Sequence, residues 1–163
     1  MSTVEPVATT ESQKHHQALV TILQGAYSGE MAAAFAYSGH WRSLRDAQER
    51  CSIKKIEEEE WHHRRAVGQF LNELGSAPKA WREIVFGTIG RVLSFGCYLS
   101  GWYMPMYFAG RLEAANVREY EEAAFHARAL GLSACESAVL AMSVTEKEHE
   151  NYFAGVVVNK RLT

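Results

Sequence analysis

Aspartate is almost missing from this sequence: of 19 acidic residues, only Asp46 is not a glutamate. Glutamate is tolerated inside helices, whereas the shorter aspartate competes for the backbone, so the bias predicts a mostly helical chain. Proline is scarce too, with three in 163 residues, and no stretch alternates apolar and polar residues long enough to form a strand. The three cysteines, Cys51, Cys97 and Cys135, are isolated from one another. Their spacing excludes a CxxC pair or a thiolate zinc site, and fits buried or inert thiols in a reducing compartment. A net charge of −2 with no basic stripe leaves nothing to meet phosphates, which argues against nucleic acid. The opening MSTVEPVATTESQKHH lacks the charged-then-apolar layout of a secretory signal, so a cytoplasmic location is expected.

What is present is helical periodicity in a chain of one-domain length. Residues 1–12 read as a disordered lead, and 13–163 as the folded domain. Apolar positions at Leu19, Ile22, Leu23, Ala26, Ala33, Ala34 and Tyr37 mark a first helix, opened by a Thr10/Gln13 capping box or by Ser12. A break is expected in Arg45–Ser52, with Ser52 capping a second helix that ends at Gly75. From Lys79 onward, Gly87, Gly90, Gly96, Gly101 and Pro105 predict at least one interruption before a helix from near Met106 to Leu130. Gly131 ends that helix, and Ser133 with Glu136 forms a capping box for the last. The fold class expected is all-α: a four-helix bundle of two antiparallel hairpins joined by a long hydrophobic crossover.

The stretch Glu57–His63 reads EEEEWHH. It offers two Glu/His pairs three residues apart, and residues at that spacing share a helix face. Glu60 and His63 share theirs with Ile53, Ile56, Val67, Phe70, Leu71 and Leu74, so they point inward. Glu59 and His62 lie with Ser52, Lys55 and Gln69, so they point out. The last helix repeats the motif: Glu146 and His149 fall on a face with Val139, Met142, Phe153 and Val156. With 18 Glu and 7 His, about 0.8 such pairs arise by chance at this helical spacing, so one alone means nothing. Two on apolar stripes mean more, because an unpaired carboxylate in a core costs several kcal/mol.

Metal neutralises them most simply. A dinuclear carboxylate site takes ExxH from two helices and one glutamate from each of two others. Glu30 is the only interior acid of the first helix. Its midpoint with Glu60 falls at position 45, where the chain turns, so the two sit level in a hairpin. For the third helix, Glu113 and Glu119 both give midpoints with Glu146 near the Gly131 turn, and geometry leaves them tied. Four carboxylates balance two divalent ions, and mixed carboxylate and imidazole donors suit iron or manganese.

The chain resembles the demethoxyubiquinone hydroxylases of the ferritin-like diiron superfamily. The likeness spans about Gln24–Val158 and rests on YSGE (Tyr27–Glu30), EWHH (Glu60–His63), EKEH (Glu146–His149) and the glycine-rich crossover. That resemblance favours Glu113, whose distance from Glu60 fits the family, and so implies the ligand set Glu30, Glu60, His63, Glu113, Glu146 and His149. It implies two iron ions cycling between Fe2+ and Fe3+, with manganese as the alternative. It also implies O2-dependent hydroxylation of a lipophilic quinone-type ring, as in ubiquinone biosynthesis. Where the family carries a His-Tyr pair near substrate, this chain has Glu119 and Tyr120, which become its candidate catalytic residues. The Tyr is kept and the His is lost, which weakens the substrate inference more than the metal one. The alternatives are a rubrerythrin- or ferritin-like protein for peroxide reduction or iron handling, and a non-catalytic helical module.

Val92–Gly110 is 19 residues without a charge. Its glycines and Pro105 make a poor membrane span, and mean hydropathy is −0.22. A buried crossover or a surface touching a membrane or lipophilic ligand is expected, with Trp102, Tyr103, Tyr107 and Phe108 suited to a polar–apolar boundary. The partners implied are O2, a lipophilic small molecule and an electron donor, with peripheral membrane contact through 92–110 and a homodimer as further expectations. Glu57, Glu58, His62, Arg64 and Arg65 read as a solvated face, and His126 as a partly exposed helix histidine.

Overall fold

The computed structural model describes residues 7–162, which form five helices: α1 (Val7–Ser43), α2 (Ala47–Glu73), α3 (Ala80–Leu99), α4 (Tyr103–Ala129) and α5 (Ser133–Leu162). No strand occurs among the described residues. The all-helical expectation holds, with one helix more than the four anticipated. Helix α1 is the hub, with α2, α3 and α4 packed on it, while α5 packs on α4 and touches α2.

Helix α1 already runs at Val7, so the second half of the expected disordered lead is helical. No glycine or proline falls between Val7 and Gln24 to interrupt it. The first six residues lie outside the described residues.

The first turn comes at 44–46 and is capped by the lone aspartate rather than by Ser52. Asp46 has extended backbone (φ −69°, ψ 126°), and its carboxylate accepts from the Glu49 amide at 2.8 Å. A short carboxylate is well suited to this position. At the far end of α2, Gly75 takes φ +66°. The Ser76 amide then reaches back to Leu71 O at 2.8 Å, the glycine-dependent helix stop the sequence predicts.

The segment after Lys79 has the interruption its glycines predict: Gly101 (φ +72°) breaks it, while Gly87, Gly90 and Gly96 sit inside α3. Two glycines on this interface serve close approach instead. A Cβ on Gly90 would lie 2.6 Å from Ala32 O, and one on Gly39 2.3 Å from Ser94 O. Pro105 falls in the first turn of α4, where its missing N–H costs no helix bond. The uncharged run 92–110 is thus divided between two helices. Among the described residues, no helix is long and apolar enough to cross a membrane.

The last turn forms at Gly131 (φ +71°). Glu136 does not close the expected capping box; its Oε1 accepts from Arg128 Nε at 2.7 Å, tying α5 to the end of α4.

The interior is divided. One apolar cluster gathers Leu19, Leu23, Ala26, Val67, Leu71, Tyr120, Ala123, Ala127, Val139 and Met142. A second gathers Ala33, Tyr37, Ile53, Ile56, Met106, Ala109 and Phe153. Each fully buried Leu, Ile or Phe contributes about 1.5–3 kcal/mol by leaving water. Between the clusters, on each of α1, α2, α4 and α5, the apolar stripe is interrupted by acid or imidazole: Glu30, then Glu60 and His63, then Glu113, then Glu146 and His149.

Candidate metal centre

All six of these side chains are buried, none with more than 4% of its surface exposed. They fall into two groups whose donor atoms lie within 4.8 Å of one another: Glu30, Glu60, His63 and Glu146, and Glu60, Glu113, Glu146 and His149. Glu60 and Glu146 belong to both. Helix α3 supplies nothing to either. Glu119 belongs to neither; it is half-buried one turn and a half further along α4, so the tie between Glu113 and Glu119 resolves to Glu113.

The geometry around Glu146 shows how the groups join. Its Oε1 lies 2.8 Å from His63 Nδ1, and its Oε2 lies 3.8 Å from His149 Nδ1. Each oxygen faces one imidazole. His63 Nδ1 also stands 3.8 Å from Glu30 Oε1, and His149 Nδ1 3.6 Å from Glu60 Oε1.

Close as these atoms are, six of them make no aligned hydrogen bond: Glu30 Oε2, both Glu60 oxygens, Glu146 Oε1, His63 Nδ1 and His149 Nδ1. A buried polar atom without a partner costs about 1–3 kcal/mol, more if charged. Six in one place aimed at each other's neighbourhood fit a shared ligand of opposite sign. Divalent cations would satisfy that requirement, and four carboxylates with two imidazoles are the donor types of a dinuclear carboxylate site.

The electrostatics agree. Burial drives the Glu60 and Glu113 carboxyls well above their ordinary range, and the neighbouring carboxylates add to it. Glu30 is raised as well, by burial first. Burial pushes on Glu146 in the same sense, but the His149 and His63 imidazoles outweigh it and hold its carboxyl far below the usual range. For both histidines burial favours the neutral ring, yet the carboxylates beside them win and raise the pKa. Without a cation the site must hold protons to exist.

Around the donors sits a set of hydrogen bonds. The Tyr37 hydroxyl donates to Glu113 Oε1 and the Tyr120 hydroxyl to Glu30 Oε1. Asn116 Nδ2 approaches Glu113 Oε2 at 3.3 Å and Glu146 Oε2 at 3.4 Å. His149 Nε2 meets Glu59 Oε2 at 2.9 Å, and Glu59 Oε1 meets Lys55 Nζ at 3.0 Å.

Tyr37, Asn116 and Glu59 were missed by reading the sequence. Glu59 was assigned to the outward face, and it does lie at the margin; its partner comes from a helix 90 positions away. Tyr37 was read only as a core position. Its placement seven residues after Glu30 puts both on one face, which was the available signal.

Of the two candidate catalytic residues, Tyr120 is buried (1% exposed) against the site, its ring edge-on to His63. Glu119 faces Arg82 of α3 and the bare backbone of Gly25, where a Cβ would meet its Oε1 at 2.9 Å. Burial and the nearby Glu30 charge raise its carboxyl to about 6.

Other residues differ from their expected surroundings. Arg64 is not solvated: it donates to Glu83 and to Tyr27 O, pinning α3 against α1 and α2. Glu57 accepts from Trp41 Nε1 at 2.6 Å. Cys51 is exposed rather than buried, while Cys135 is buried.

No protein-family model, no curated protein and no solved structure matches this chain. Any functional reading therefore rests on the chemistry of the site itself.

Proposed function

We propose that this chain is a dinuclear-iron oxidoreductase that activates O2, a monooxygenase acting on a lipophilic quinone-type ring. One observation carries it: the cluster of unpartnered, buried donor atoms with Glu60 and Glu146 common to both groups. The three-residue connection between α1 and α2 and the tight turn at Gly131 support an arrangement of two antiparallel hairpins, as in ferritin-like diiron proteins.

In this reading Glu30, Glu60, His63, Glu113, Glu146 and His149 would hold two ions, with Glu60 and Glu146 common to both donor groups. Iron bound there would supply the redox chemistry for O2, and manganese fits the same donors. Tyr37 and Tyr120 orient the carboxylates of Glu113 and Glu30 by donating to their Oε1 atoms. The apolar clusters on either side keep bulk water from the donors. Glu119, with a carboxyl that titrates at about 6, can hold or release a proton near neutrality beside Tyr120.

The outer face of α3 favours a lipophilic substrate. Trp81 (60% exposed), Ile84 (72%), Phe95 (66%) and Leu99 (73%) stand in solvent along one helix. A contiguous apolar face of this kind marks contact with an apolar ligand or a membrane surface. This is also the place where peripheral contact through 92–110 would occur.

Anaerobic loading of metal-free protein with Fe(II) tests the metal reading, and about two irons per chain are expected from the six-ligand rule. Exposure to isotopically labelled O2 with a reductant and a short-chain quinone precursor tests the reaction, with label expected in the ring. Fewer than one iron per chain would sink the dinuclear centre. Two irons with reduction of peroxide but no labelled ring would move the protein to peroxide chemistry.

A further inference from the structure

At the opposite end of α1 from the turn at 44–46, two histidines distant in sequence meet. His15 Nδ1 on α1 lies 2.8 Å from His126 Nδ1 on α4, 111 positions apart. The rings are half-buried, tilted 57° to each other, and Phe125 packs against both. His16 is turned away, with its Nε2 3.3 Å from Leu74 O.

We propose that His15 and His126 form a second metal site, independent of the central cluster, for a late first-row divalent ion such as Ni(II) or Cu(II). The argument is geometric. Imidazole nitrogens sit about 2.0–2.1 Å from such an ion. Two of them in tetrahedral positions lie about 3.3 Å apart, and at a right angle about 2.9 Å. The observed 2.8 Å is near the right-angled case and equally a hydrogen-bond separation, so the rings must swing their Nδ1 lone pairs off the line between them to share an ion. Square-planar and octahedral geometries place neighbouring ligands at right angles, which favours Ni(II) and Cu(II) over Zn(II).

Among the described residues no third His, Cys, Asp or Glu donor stands close enough to complete a set with these two, so water would fill the remaining positions. Half-burial leaves the outer side of the ion open to water. The two Nε2 atoms lie on the far side of each ring and can keep their protons while both Nδ1 lone pairs bind. An ion here staples the N-terminal part of α1 to the C-terminal part of α4, close to the Gly131 turn.

The competing state is a direct N–H···N hydrogen bond between the same atoms, and stoichiometry separates the two. Untagged full-length protein, stripped of metal, is equilibrated with Ni(II), and bound nickel is counted for wild type, His126→Ala and His15→Asn. Each variant is expected to bind one equivalent fewer than wild type, and to lose part of the Ni(II)-induced rise in Tm. The readout is a difference, so it survives failure of the central site, when wild type would bind one nickel and the variants none. Equal nickel content in wild type and both variants would overturn the proposal and leave a hydrogen bond only. Circular dichroism of each variant checks that it has folded.

Discussion

Glu59 Oε2 lies 2.9 Å from His149 Nε2, on the side of the imidazole away from the central cluster. The carboxylate fixes which ring nitrogen carries the proton and leaves Nδ1 to face Glu60 and Glu146. Burial opposes ionisation of Glu59, but His149 and Lys55 outweigh it and hold its carboxyl below the ordinary value.

Replacing Glu59 by Gln should therefore weaken binding of one ion more than the other. An outer partner of this kind is worth about 10–100-fold in metal affinity. Competition with a calibrated chelator should show one weakened step and one unchanged. Equal weakening of both steps, or of neither, would remove Glu59 from this role.

The two shared carboxylates should behave differently from the unshared ones. Glu30→Ala removes a donor from one group only and should leave about one iron per chain, whereas Glu60→Ala should leave none. In metal-free protein, Glu60→Gln removes a buried acid whose oxygens make no hydrogen bond, and is expected to leave stability unchanged or raise it by up to about 1 kcal/mol. Iron analysis and thermal unfolding check the two halves. A metal-free Glu60→Gln variant that unfolds well below wild type would contradict this account of the burial cost.

Metal-free protein should lose stability as pH rises. Glu30, Glu60 and Glu113 have raised pKa values in the fold. Each contributes stability that is complete below the unfolded value of 4.5 and is lost as pH climbs through the folded one. His63 and His149 are raised from 6.5 and act in the same sense above that pH. Glu146 opposes them, because its depressed carboxyl contributes above 4.5 and fails only in acid. His40, lowered to about 4 by burial, works the other way but only below 6.5, so the raised groups predict a Tm that falls from pH 6.5 to pH 8 in the stripped protein. Divalent metal should reverse the slope, since its ligands bind deprotonated.

The α1–α3 contact can be tested apart from the chemistry. A Cβ on Gly90 would sit 2.6 Å from backbone Ala32 O, so Gly90→Ala must push the helices apart and should cost about 1–3 kcal/mol. Gly96, in the same helix, has nothing within 4 Å of its Cβ direction, so Gly96→Ala should stabilise by about 0.5–1 kcal/mol. Chemical denaturation of both variants reads the pair. Like-signed effects would mean that the close approach at Gly90 is not what holds α3.

Much of this was legible in the sequence because helical spacing is rigid. Glu60, His63, Glu146 and His149 were assigned inward from the apolar residues flanking them, and all four are buried. Glu30 followed from being the lone interior acid of its helix. Glu113 could not be separated from Glu119 by counting, since turn lengths are uncertain by more than the six residues between them. The glycines after Lys79 predicted an interruption without placing it: Gly101 provides it, whereas at Gly90 the missing side chain serves close packing, and only the neighbour decides. Asp46 was overlooked as the α2 cap because Ser52 also suited the role. Contacts such as Glu59 with His149 or His15 with His126 join separate helices, and no periodicity within one helix encodes them.

Because Glu60 and Glu146 each belong to both donor groups, the two halves of the cluster cannot fill independently. A first cation would draw both carboxylates into ionised, fixed rotamers and expel the protons that the empty cluster holds, leaving the second group deprotonated and set for the next ion. Uptake would then be coupled, the first Fe(II) step raising the affinity of the second above what each group alone would show.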